Sequence, residues 1–138
     1  MKFLSIMCAA LGLAAMGVSA ADAIPPQAGS IVPSFTADQA RDGQSVYQAN
    51  CSMCHGAKLE GVYAPALAGP NGNVQWQSVS DVYAYTKAQM PVANAGGLSA
   101  QDYTNLTAFL LSMHGHHAGS RPLTASAAAT STALLGPQ

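Results

Sequence analysis

Charge is scarce in this sequence. Five lysines and arginines and six aspartates and glutamates are spread over 138 residues. There is no basic patch, so a nucleic-acid role has no support, and long-range steering toward a strongly charged partner is weak. Cysteine is rarer still, at positions 8, 51 and 54 only. No alternating strand pattern stands out. The single long apolar run, Phe3 to Val18, falls short of the ~20 strongly apolar residues a spanning helix needs, and it contains Ser5, Gly12 and Gly17.

That run has another reading. Lys2 gives a positive start, the apolar stretch follows, and small residues cluster from Val18 to Ala23. This order is that of a secretory signal peptide. It predicts a leader over residues 1–20, cut after Ala20 or Ala23, and a protein exported to the periplasm. Cys8 lies too early for a lipoprotein site and leaves with the leader. From Asp22 onward four basic residues face six acidic ones, a net charge of −2 with histidine neutral. Residues 24–37 read as a leading arm, 38–117 as one small domain, and 118–138 as a tail rich in Ala, Ser and Thr. The tail has little to bury and is expected to be extended or disordered.

The two remaining cysteines admit a disulfide, a thioredoxin-like redox pair or a haem attachment site. Residues 51–55 read Cys-Ser-Met-Cys-His, and the histidine decides. Two thiols separated by two residues span the two vinyl groups on one porphyrin edge, and the next residue, His55, is carried under the ring to bind the iron. A redox pair has no use for that histidine. A zinc site needs further ligands at matching spacing, and the other histidines, His114, His116 and His117, are far along the chain. One covalently attached haem c is therefore expected, on Cys51 and Cys54, with His55 as an axial ligand. Export supports it, because thioether attachment takes place outside the cytoplasmic membrane.

The sixth position of the iron separates carrier from catalyst. Met53 sits inside the attachment loop, and Met113 ends an apolar helical stripe. Met90 precedes Pro91, which forces the preceding residue out of the helical region and presents the thioether from an extended loop. On this spacing alone Met90 is either an iron ligand or a filler of the core. Three main helices are predicted, at about Asp38–Cys51, Val79–Gln89, and from Ser99 to a stop at Gly115. Ser99 with Asp102 forms a relative of the capping box, and Tyr103, Leu106, Phe109, Leu110 and Met113 recur at helical spacing. The stretch Gly56–Gln77 is too long for an ordinary connection and needs something to pack on, which a haem supplies.

On these residues the sequence resembles the class I cytochrome c family. The likeness rests on Gly43, Tyr47, Cys51 to Gly56, Gly61, Pro65 with Leu67, Met90-Pro91, Phe109 and Leu110. The resemblance implies an all-α cytochrome c fold wrapped around one haem, His55/Met90 ligation, and a Pro65 carbonyl that accepts a hydrogen bond from the haem histidine. It also implies crossed first and last helices, Gly43 permitting close approach to Phe109. A narrower likeness, carried by Met90 to Tyr103, Ala108 to Leu111 and Gly119 to Leu123, is to the cytochrome domains and subunits that serve bacterial quinoprotein (PQQ) alcohol dehydrogenases. It departs from them at His114-Gly115, where they tend to have Asn-Gly.

The resemblance implies a periplasmic electron carrier, not an enzyme. It would pass electrons from a dehydrogenase, with a quinoprotein as the implied donor, to a respiratory acceptor, an oxidase or bc-type complex, and meet the membrane only through partners. The alternatives are a fixed haem subunit of a dehydrogenase complex, and a haem enzyme or sensor with a labile sixth ligand. Pro65, Leu67 and Trp76 are expected to line the haem pocket. The histidine trio at 114, 116 and 117 is expected to be a solvated helix end rather than a metal site.

Overall fold

The computed structural model describes residues 31–136. The leader, its cleavage sites, the arm up to residue 30 and residues 137–138 lie outside the described residues. Five helices form, and no strand beyond one isolated bridge, Ser78 to Leu134, is present among the described residues. Helix α1 spans Ala37–Asn50 and starts at a complete capping box, Thr36 with Gln39. A break at Cys51 separates it from α2, Ser52–His55, which carries the attachment motif. Helix α3 spans Val79–Gln89, capped by Ser78. It ends where Met90 turns extended, at φ −122° and ψ 149°, ahead of the cis Met90–Pro91 peptide, as the proline rule demands. Helix α4 spans Ala100–Met113, its box closed by Ser99 and Asp102, and α5 spans Ala125–Thr130.

Helices α1 and α4 cross at Gly43. A Cβ there would overlap the backbone carbonyl of Asn105, so only glycine lets the two backbones meet. The expected contact is thereby corrected in detail. Gly43 meets the Asn105 backbone, and Phe109 instead packs on Tyr47 one turn further along, with ring centroids 5.3 Å apart. Helix α4 is buried on every side from Tyr103 to Leu111, the pattern of a central helix. Its buried polar groups are satisfied locally: Thr104 and Thr107 donate to the carbonyls of Ala100 and Tyr103, and Gln101 donates to Asn105.

Residues 118–136 overturn the expected loose tail. They fold back as a strap whose Leu123, Ala128, Ala133 and Leu135 are buried. Gln39 holds Leu123 by both its amide and its carbonyl, at 2.9 and 2.7 Å. The strap then runs beside residues 75–80, where Leu135 N–H donates to Gln77 and Val79 N–H donates to Ala133, both at 2.9 Å. Four well-placed apolar side chains and a backbone ladder suffice in a segment made mostly of small residues. The end of the leading arm is likewise packed, with Phe35 at 1% exposure.

Candidate haem-attachment site

Local backbone bonds build the motif's wall. The Cys54 carbonyl accepts from the N–H groups of Val62, Tyr63 and Ala64 at 2.9–3.1 Å, and the His55 carbonyl accepts from Gly61 at 2.8 Å. The long loop after the motif is thus pinned to the motif itself. Gly61 makes the turn at φ +81°, and Leu59, fully buried, anchors the loop in the core. The Tyr47 hydroxyl donates to the Gly56 carbonyl at 2.7 Å. Burial, then the nearby Cys51 and Glu60, push the Tyr47 hydroxyl far above its ordinary pKa, so it remains a donor.

These elements surround one cavity of about 650 Å³, within the ~300–1,000 Å³ typical of small-molecule and cofactor sites. Cys51, Cys54, His55, Pro65, Leu67 and Met90 all line it, with Val82, Leu106 and Leu110 supplying apolar wall. His55 Nδ1 donates to the Pro65 carbonyl at 2.8 Å, which directs its Nε2 lone pair away from that contact and makes it available to a metal. Cys51 and Cys54 form no disulfide. Burial, with Cys54 adding to it, pushes the Cys51 thiol up to about 11. A thioredoxin-like pair needs the opposite, a depressed thiol. No group of three or more His, Cys, Asp or Glu side chains among the described residues is placed to hold a metal ion. Two thiols, an imidazole held by its other nitrogen and a thioether around an apolar cavity fit a covalently attached haem.

Two expectations fail here. Trp76 does not line the cavity and is 72% exposed. The reason is the 3₁₀ turn Val74–Trp76: residues three apart eclipse in such a turn, so Val74 and Gln77 share the cavity face and Trp76 points elsewhere. The histidine trio is not a solvated end either. His114 is buried and its Nε2 donates to the Leu67 carbonyl at 2.9 Å, while His116 Nε2 donates to Leu135 in the strap at 2.8 Å. Only His117 is exposed. Tyr85, an aromatic that could line a haem, does border the cavity, and beside it stand Thr86 in the lining and the Tyr103 hydroxyl on the Met90 carbonyl, neither of them expected from the sequence. Tyr85 and Thr86 follow Val82 on one α3 face at helical spacing, which is the sequence signal for Thr86.

His114 gives a pH dependence. Burial holds its pKa below the ordinary 6.5, with His116 adding to the effect and the Leu67 hydrogen bond opposing it. The unfolded chain therefore takes up this proton more readily than the folded one, and stability falls as pH drops below about 6.5 toward the folded-state value. His114→Asn keeps a donor for Leu67 and is expected to flatten this slope. Equal losses of melting temperature between pH 8 and 5 in both proteins would contradict it.

The helices and the Cys-x-x-Cys-His cavity define a c-type cytochrome domain. Residues 38–110 match the family described as cytochrome c oxidase, cbb3-type, subunit III, and the chain belongs to that family, whose cofactor is covalently bound haem c. The sulfane dehydrogenase SoxCD of Paracoccus pantotrophus is similar at 29% identity and a TM-score of 0.52, over 64% of this chain and 52% of that one. The thiosulfate dehydrogenase TsdBA of Marichromatium purpuratum is similar at 26% identity and a TM-score of 0.47, over 61% of this chain and 19% of that one. This chain thus spans about half or less of the solved chains it matches. No curated protein sequence matches it. No helix among the described residues is long and apolar enough to cross a membrane.

Proposed function

We propose that the protein is a single-haem electron carrier of the periplasm, anchored to its haem through Cys51 and Cys54 and ligated by His55 and Met90. The observation that carries this reading is the convergence of these four side chains on one cavity. When bound, haem c supplies an iron that changes between ferric and ferrous by one electron. The chain's own residues do the rest. The Pro65 carbonyl orients the His55 ring, and the Val82, Leu106 and Leu110 walls exclude water. Met90, held in an extended turn, offers a neutral thioether that favours the reduced metal and raises the potential.

At the cavity rim Met53, Tyr63 and Val92 are 79–84% exposed and uncharged. They suit a small, transient contact with a redox protein. The donor in this reading is a dehydrogenase, of the quinoprotein (PQQ) class by resemblance, and the acceptor an oxidase or bc-type complex. The likeness to the sulfane dehydrogenase SoxCD favours a second reading, a fixed haem subunit within a dehydrogenase complex. Stable co-purification of the native protein with a dehydrogenase would select that reading. Isolation as a monomer reduced by several unrelated donors would select the mobile carrier.

The ligation is tested by the optical spectrum of the oxidised protein. A far-red sulfur-to-iron band is expected in the wild type and its loss in Met90→Ala, with a lowered reduction potential. A high-spin wild-type spectrum would overturn Met90 as ligand.

A further inference from the structure

The backbone of Met90 is gripped from two sides. Its N–H donates to the Thr86 carbonyl at 2.9 Å, closing α3, and its carbonyl accepts the Tyr103 hydroxyl of α4 at 2.9 Å. Beyond Met90 the chain is loosely held. Residues 92–97 are exposed, and the hydrogen bonds of this loop, Asn94 to Pro91 and Gly97 to Asn94, stay within it. Among the described residues the Tyr103 hydroxyl is the one side-chain hydrogen bond tying this segment to the buried helix. Tyr103 itself is 1% exposed. A phenol oxygen that deep needs a partner, and phenylalanine would fill the same space without one.

We propose that Tyr103 is a positioning residue for Met90: its hydroxyl clamps the Met90 carbonyl to α4 and so sets how firmly the Met90 thioether stays in the cavity. The inference rests on the His55/Met90 ligation proposed above. It differs from a packing role because the ring alone would serve packing.

Imidazole, which must displace Met90 to bind the oxidised iron, is the probe. Its affinity is read from loss of the far-red band in the wild type, in Tyr103→Phe and in Thr107→Val. The last variant loses another buried α4 hydrogen bond, Thr107 to the Tyr103 carbonyl, and leaves the Met90 clamp intact. Tyr103→Phe is expected to bind imidazole about two- to tenfold more tightly than the wild type, the equivalent of one hydrogen bond's net worth of ~0.5–1.5 kcal/mol. Thr107→Val is expected to match the wild type. Unchanged affinity in Tyr103→Phe, or the same gain in both variants, would overturn the positioning role while leaving Met90 ligation standing. A wild type without the far-red band would instead remove the ligation reading and this inference with it.

Discussion

Replacing Cys51 and Cys54 together by alanine is expected to cost the protein its fold as well as its haem. The two thiols are the proposed covalent anchors. Without them the space they border, about 650 Å³ between the motif, α3 and α4, must be filled by water or collapse. Cavities in a dry core cost roughly 24 cal/mol for each Å³. Applied to only a third of this space, that is about 5 kcal/mol, the lower end of the whole stability of a small domain. Collapse is obstructed because the walls are set elsewhere: α4 is locked across α1 at Gly43, and the strap fixes residues 75–80. The double variant, expressed with the maturation machinery for covalent haem, should carry no covalent haem on a denaturing gel. It should also be cleaved by trypsin under conditions that leave the wild type intact. A folded, protease-resistant haem-free protein with the wild-type melting temperature would refute this.

The parts of the structure that the sequence made legible are those governed by short-range chemistry. Helix α3 falls at Val79–Gln89 because Ser78 can cap it and Pro91 must end it. Helix α4 begins after Ser99 for the reason its Ser-x-x-Asp spacing gives. The cavity's motif wall is local too, since the Cys54 and His55 carbonyls collect four N–H groups, those of Gly61 to Ala64, from within the next ten residues. The failures are long-range. The grip of Gln39 on Leu123 spans 84 residues and that of His114 on Leu67 spans 47, and neither has a local sequence signature. The small-residue composition misled at the strap, because burying four small or medium apolar side chains in register takes few residues. Trp76 failed for a different reason. Its type suits a haem pocket, but the phase of a three-residue 3₁₀ turn, invisible to composition, decides where it points.

The same long-range geometry makes Gly43→Ala a severe change. In an exposed helix this substitution stabilises by up to about 1 kcal/mol, because alanine is the better helix former. Here the sign reverses. The added methyl would meet the Asn105 backbone carbonyl, with Leu106 N at 2.9 Å behind it. A backbone cannot step aside as a flexible side chain can, so α1 and α4 must separate. Overpacking within a core costs ~1–3 kcal/mol even when side chains can adjust, and here the movement of two helices puts the expected loss at about 3 kcal/mol or more. For a domain of this size that is a fall in melting temperature of roughly 12–24 °C. The effect should also reach the haem site, because Tyr47 packs on Phe109 one turn from the crossing and donates to Gly56 beside the motif. Gly43→Ala should therefore weaken the far-red band before the protein melts. The exposed control Ala49→Gly, also in α1, should lower stability by only about 1 kcal/mol and leave the band unchanged. A melting temperature for Gly43→Ala at or above that of the wild type would show that the two helices are not in backbone contact at this crossing.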